Sequence, residues 1–240
     1  MKILVTNDDG IHASGLRILV EKALKFGEVT VVAPAYEQSA KSHALNIRKG
    51  LAYQKMEDIV PGVDTYALES TPADCVRFAE YYLKLNYDIV FSGMNNGYNV
   101  GEDILYSGTV GAASEGVLCH KKAIAISAAY NKQMDAQTHL EGALSYIFDN
   151  KLFDICSFYN VNIPPFSNGI KITRQGSTHF EARFELEGHL VFQRGKPYFD
   201  RDNEFIESDV NAIHNHFISI SPLSVDRTDF QAYQKLVNSK

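Results

Sequence analysis

Four short, almost wholly apolar runs, interleaved with helical patterns, constrain the fold of this chain more than any other feature. Ile3 to Thr6 ends in a polar turn, Val29 to Ala33 is closed by Pro34, Asp88 to Phe91 by Ser92-Gly93, and Ala123 to Ser127 is the fourth. Between them, residues 13 to 25 carry Leu16, Leu19, Val20, Ala23 and Leu24 at helical spacing before Gly27 stops them, and Ala73 to Leu85 and Thr109 to Leu118 also read as helices. A strand with one wet face would alternate apolar and polar residues. Continuous apolar strands are buried on both faces, which requires helices on both sides of a parallel sheet. The expected class is therefore α/β, a doubly wound and mostly parallel sheet.

The second half changes character. Gly169 to Thr173, Ala182 to Leu186 and Leu190 to Gln193 read as strands, with Glu187-Gly188 as a turn between the last two; His216 to Ile220 alternates, and residues 229 to 237 form a helical tail. A β-hairpin extension on an α/β core is the expected arrangement. No repeat, low-complexity tract or flexible linker divides the chain, so residues 1–240 are read as one unit, with a core over 1–175 and the hairpin and C-terminal segment over 176–240.

Charge narrows the function classes. The 23 Lys and Arg residues against 29 Asp and Glu give a net charge of −6. Such a chain is a poor binder of nucleic-acid polymers or anionic membranes through a basic surface, so any anionic partner must be met locally. The N-terminal run reaches Asp8 and Asp9 after the apolar Ile3, Leu4 and Val5, too short for a signal peptide, and a cytoplasmic location is expected. Cys75, Cys119 and Cys156 form no CxxC and read as small buried hydrophobes. His214 and His216 would share one face of the last strand, but no third metal ligand stands beside them.

In an open α/β sheet, ligands bind outside the carboxyl ends of the strands. Three such ends here are polar: Asn7-Asp8-Asp9-Gly10, then Glu37-Gln38-Ser39 with Ser42-His43, then Ser92-Gly-Met-Asn-Asn-Gly97. Their convergence would collect two carboxylates, a hydroxyl and amide oxygens, a donor set suited to a hard cation such as Mg²⁺, Mn²⁺ or Ca²⁺. Asp-Gly is also an ordinary turn and Asp an ordinary helix cap. Two adjacent carboxylates repel unless screened, which favours the cation. Six of the chain's 16 glycines fall within residues 92–116, and Ser107-Gly108-Thr109 then opens a helix whose free amides form an anion site. Neither GK[ST] nor GxGxxG occurs. A cation site beside an amide cradle points to a phosphoryl group.

At these residues the chain resembles the SurE family of survival-protein nucleotidases. The matching pieces are Ile3 to Ile11, Ala33-Pro34 with Gln38-Ser39, Thr71 to Val76, Ser92 to Gly97, Leu105 to Ala113, Asn160 to Pro164, Gly169 to Arg174 and Ile218 to Leu223, in order along the chain. The resemblance implies a Rossmann-like core with a protruding hairpin and a metal-dependent phosphatase for nucleoside 5′- and 3′-monophosphates, with short polyphosphate as a further substrate. It implies one divalent cation per subunit, Mg²⁺ or Mn²⁺, held by Asp8, Asp9, Ser39 and Asn95, with Asp8 and Asp9 catalytic. It places phosphate binding on Asn96, Ser107, Gly108 and Thr109, and pairs subunits through C-terminal segments into a homodimer or homotetramer. Two departures stand out: Ala40-Lys41 follows Ser39 where the family commonly has glycine, and Ser70 precedes Thr71 where it again has glycine.

The implied chemistry is attack of an activated water on a phosphate monoester. His43 is a candidate general acid for the leaving alkoxide, against the plainer reading of a loop histidine making one hydrogen bond. Tyr98 and Tyr106 flank the glycine-rich loop and are candidates for stacking on a base, although a core or rim role is the better expectation. A haloacid-dehalogenase-type phosphatase, with its DxD nucleophile two residues before the acid, would put Asn7 at the nucleophile, and an amide cannot serve. A non-catalytic phosphate sensor is the remaining alternative.

Overall fold

The computed structural model describes residues 1–180, 183–195, 197–199 and 207–239. Thirteen strands occur among them: β1 (Lys2–Thr6), β2 (Glu28–Pro34), β3 (Tyr53–Lys55), β4 (Thr65–Leu68), β5 (Ile89–Asn96), β6 (Lys122–Ala128), β7 (Phe158–Ile163), β8 (Ile170–Ile172), β9 (Thr178–Phe180), β10 (Arg183–Glu187), β11 (Leu190–Arg194), β12 (Pro197–Phe199) and β13 (Ile218–Pro222). The α-helices are α1 (Ser14–Ala23), α2 (Pro72–Arg77), α3 (Gly108–Leu118), α4 (Gln133–Asp149), α5 (Asp209–His214) and α6 (Phe230–Asn238). None of the described helices is long and apolar enough to cross a membrane.

Nine strands form one sheet in the order β3-β4-β2-β1-β5-β6-β7-β13-β8. The run from β4 to β7 is parallel throughout, whereas β3 against β4 and β13 against β7 are antiparallel. Leu4, Val5, Val31, Val32, Ile89, Val90, Phe91 and Ile124 are all buried, as continuous apolar strands require. One face packs Leu16, Leu19 and Leu140 from α1 and α4; the other packs Val76, Val110 and Ala113 from α2 and α3. The chain winds outward from β1 through β2 to β4, then returns to β5 on the other side and winds through β6 to β7. The switch point lies between β1 and β5, where a crevice opens at the strand ends.

The expected hairpin is present as β10 and β11, antiparallel from Arg183 opposite Arg194 to Glu187 opposite Leu190, and β9 pairs with β12 at its base. Ala182, the expected first residue of that hairpin, lies outside the described residues.

Several boundaries differ from expectation. The third expected strand is longer: β5 continues through Ser92 to Asn96, crosses an irregularity between Ser92 and Asn95, and pairs Asn95 with Ser127 of β6. The expected helix over 73–85 is α2 followed by a π-helical turn, Phe78–Tyr82. His214 and His216 do not share a strand, because His214 ends α5 and His216 sits at φ +60° before β13 begins.

Candidate functional site

The site grows from the turn after β1. Asn7 is buried and its Nδ2 donates to Gly10 O at 2.9 Å, closing the turn. Gly10 holds φ +98° against the backbone of Tyr36, where a side chain would be strained. Two bonds lock this turn to the end of β2, Ile11 N to Pro34 O at 2.8 Å and Gln38 N to Asp8 O at 2.7 Å. Asp8 and Asp9 therefore stand on a fixed backbone at the switch point.

The N-terminus of α3 faces Asp8. Ser107 caps the helix, its Oγ accepting from Val110 N at 3.1 Å. Thr109, fully buried, donates its hydroxyl to Asp8 Oδ1 at 2.5 Å, and its backbone N–H also bonds the Asp8 carboxyl. Gly108 permits the approach, since a Cβ there would lie 2.9 Å from Asp8 Cβ. Burial pushes the Asp8 carboxyl up to about 6, opposed by the Thr109 hydroxyl and reinforced by the charge of Asp9. Asp9 accepts from Asn96 N at 3.0 Å; burial raises its carboxyl, this bond lowers it and Glu37 raises it again.

A cleft of about 1410 Å³ opens here, lined by Asp8, Asp9, Ser39, Asn95, Asn96 and Ser107 among others. The four expected metal ligands thus converge on one cavity. Ser39 Oγ donates to Glu37 Oε1 at 2.6 Å, and Asn95 Nδ2 donates to Gly97 O at 2.8 Å, with the Asn95 amide oxygen left as its uncommitted end among the described residues. Glu37, Glu102 and Asp103 bring further carboxylates to the wall, and Tyr98, Tyr106 and Tyr130 bring aromatic rings. No Lys or Arg is among the described residues of the lining.

The phosphate-binding expectation meets a different geometry at three residues, and His43 takes its plainer role. Thr109 and Gly108 do not line the cleft; they hold Asp8 from behind it. Asn96 lines it, but its side chain pairs with Asn131, accepting from Asn131 N at 2.7 Å. His43 is not among the residues that line the cleft; its Nε2 lies 2.7 Å from Glu115 Oε2, the single hydrogen bond of the plainer reading.

The sequence reading missed a supporting layer. Asn160 and Asn162, buried on β7, donate to Asn99 O at 2.8 and 2.9 Å, and Asn99 N donates to Asn162 Oδ1 at 2.9 Å, so they fasten the glycine-rich loop from below. Asp209 accepts from the backbone N–H of Gly101 at 3.0 Å, Gly176 at 2.7 Å and Val210 at 2.8 Å, tying that loop to the base of the extension. Thr178 gives its N–H to Glu102 in the same region. The signal for the first group was the alternation of Asn160-Val161-Asn162 within an apolar run.

The donor set fits a hard divalent cation. Asp8 is a buried carboxyl raised by burial and by its like-charged neighbour, with no Lys or Arg among the described lining residues, and a cation is the partner that would balance its charge there. All its donors are oxygens. Asn7 Oδ1, buried beside the pair in sequence, has no hydrogen-bond partner among the described residues.

Comparison with known proteins identifies the family. The family described as Survival protein SurE matches residues 3–182. The 5′-nucleotidase SurE of Microcystis aeruginosa is 39% identical over 260 aligned positions, covering 98% of this chain and 95% of that protein. The 5′-nucleotidase SurE of Caldanaerobacter subterraneus is 37% identical, covering 99% and 97%. The crystal structure of the SurE protein from Aquifex aeolicus superposes with a TM-score of 0.82 at 28% identity, covering 99% of this chain and 100% of that one. Shared along nearly the whole length, this similarity means that the chain belongs to the SurE family.

Proposed function

We propose that this protein is a metal-dependent nucleotidase that hydrolyses nucleoside 5′-monophosphates, with 3′-monophosphates and short polyphosphate as further substrates. The observation that carries the reading is the convergence of Asp8, Asp9, Ser39 and Asn95 on one cleft at the switch point of the sheet. The nucleotidase names of relatives at 39% and 37% identity support the choice of substrate.

Asp8 and Asp9 would hold one divalent cation, Mg²⁺ or Mn²⁺, with Ser39 and Asn95 as neutral donors. Such a cation polarises a phosphoryl oxygen and lowers the pKa of a water, which supplies the nucleophile at neutral pH. The protein's own groups supply the rest. A carboxylate of the pair takes the proton of the attacking water. Thr109 fixes the Asp8 side chain, and the Asn96 amide fixes Asp9, so neither carboxylate has to reorganise as charge develops. Ser107, at the helix N-terminus, faces the cleft where the phosphate would sit, in the positive end of the α3 dipole.

The deciding assay is phosphate release from AMP with Mn²⁺ or Mg²⁺, with and without EDTA, followed by 3′-AMP and short polyphosphate. Metal-dependent release from AMP is expected; no release from any nucleotide would overturn the assignment. We also propose subunit pairing into a homodimer or homotetramer through residues 176–240. Phe184, Leu186, Leu190 and Val191 on the hairpin, and Phe230, Tyr233 and Leu236 on α6, expose apolar surface that a second subunit would cover. Light scattering on the full chain tests this, and a monomer would overturn it. A cytoplasmic location is part of the same proposal.

A further inference from the structure

The loop between β2 and β3 carries Ser39 on an exposed stretch, and it is anchored on both sides of that residue. On one side Gln38 N donates to Asp8 O at 2.7 Å. On the other, Ser42 N donates to Tyr106 O at 2.9 Å and Ser42 Oγ to Leu105 O at 2.7 Å. The loop then lies directly on α3: a Cβ at Gly111 would meet Ser42 O at 2.4 Å and His43 Cα at 3.0 Å. Ala40 at φ +55° and Ser42 at φ +53° occupy the left-handed region, which side chains hold only where the surroundings over-determine it.

What closes this anchor is a buried charge. Glu115 projects from the middle of α3 with its side chain only 3% exposed, and a buried carboxylate must be paired. Its two oxygens take one partner each, His43 Nε2 on Oε2 at 2.7 Å and Arg77 Nη1 on Oε1 at 2.8 Å. Burial works to raise the Glu115 carboxyl, and the bonds from His43 and Arg77 more than offset it. Arg77 comes from α2, whereas His43 comes from the loop that carries Ser39. One helix therefore sets the position of both halves of the cleft: Thr109 in its first turn holds Asp8, and Glu115 two turns on holds the Ser39 loop through His43.

We propose that His43 is a positioning residue that acts through Glu115 to hold Ser39 level with Asp8 and Asp9, and so sets the affinity of the cleft for its divalent cation. The proposal rests on the metal reading of the cleft given above. It assigns His43 no proton transfer.

The test is Mn²⁺ binding to the full chain by titration calorimetry, with hydrogen exchange of the loop measured without metal. His43→Ala and the bulkier His43→Leu should weaken Mn²⁺ by about 10-fold or more, the effect of losing an outer-shell support. His43→Gln, whose amide can donate to Glu115, should recover wild-type affinity to within about threefold, and Arg77→Met, which removes the partner not tied to the loop, should leave it within about threefold. In metal-free His43→Ala, residues 38–44 should exchange faster while α3 stays protected. The proposal is overturned by wild-type Mn²⁺ affinity in both His43→Ala and His43→Leu, by equal weakening in Arg77→Met, or by failure of His43→Gln to recover. A wild-type chain that binds no Mn²⁺ overturns the metal reading itself, an outcome distinct from all of these.

Discussion

Replacing Asp8 by Asn should destroy activity and, in the absence of metal, stabilise the protein. The folded Asp8 carboxyl titrates at about 6 against an ordinary 3.8, a gap of about two units caused first by burial. Because the folded pKa is the higher one, the native state binds more protons between these two values. The stability this group allows is fully present below 3.8 and is lost as pH rises through 6. At 1.36 kcal/mol per unit, ionised Asp8 costs the metal-free fold about 3 kcal/mol at pH 8, an upper figure because water and side chains relax. Asn keeps the shape, can accept the Thr109 hydroxyl bond and carries no charge. For a chain of this length 1 kcal/mol moves the melting temperature by about 2–4 °C, so a gain on the order of 5–10 °C is expected. The assay is thermal unfolding of wild type and Asp8→Asn in EDTA from pH 8 down to pH 4. The difference should shrink across that range, and Mn²⁺ should stabilise the wild type and not the variant. A variant no more stable than wild type at pH 8, or a difference independent of pH, would refute the argument that this carboxylate is uncompensated.

Three further outcomes follow from the geometry. Ala40→Gly relieves a φ of +55° and should stabilise the protein by about 0.5–1 kcal/mol, read from the urea midpoint. Gly108→Ala places a Cβ 2.9 Å from Asp8 Cβ and 3.0 Å from its Oδ2, so the carboxylate or the helix must move; kcat/KM should fall on the order of 10²-fold with circular dichroism unchanged. Asp209→Ala leaves the N–H groups of Gly101, Gly176 and Val210 without their acceptor and should cost at least about 2 kcal/mol in a denaturant titration; an unchanged midpoint would show that the tie is not needed.

The strand ends carrying the site were legible because each apolar run of the core stops abruptly at polar residues, and burial on both faces leaves no other reading of such runs. The continuation of β5 through Asn95 and Asn96 was not, because those polar residues pair with Ser127 and Ala128 only after the irregularity. β7 was hidden for a related reason. Its Phe-Tyr-Asn-Val-Asn-Ile places two asparagines on a fully buried strand, and they are tolerated only because Asn99, 61 and 63 residues away in sequence, meets their amides. No local pattern reports a partner at that separation. The same limit applies to His43: the single hydrogen bond of its plainer reading is present, but its partner Glu115, 72 residues on, is not visible in any local pattern.

Charge links these long-range partners to the proposed function. The net −6 excluded a basic surface for polyanions, and the cleft carries the same sign further, with Asp8, Asp9, Glu37, Glu102 and Asp103 in its lining and no Lys or Arg among the described residues there. An anionic substrate gains nothing from such a wall. The backbone amide and hydroxyl of Thr109 are directed at Asp8, and the amide of Asn96 at Asp9, so the uncharged donors of the glycine-rich region stabilise carboxylates first. On the metal reading proposed above, those carboxylates are held ready for a cation, which would reverse the local sign for a phosphate. On that reading the residues expected to grip phosphate and those expected to grip metal act in series, with Thr109 serving the substrate through the hydrogen bond it gives Asp8.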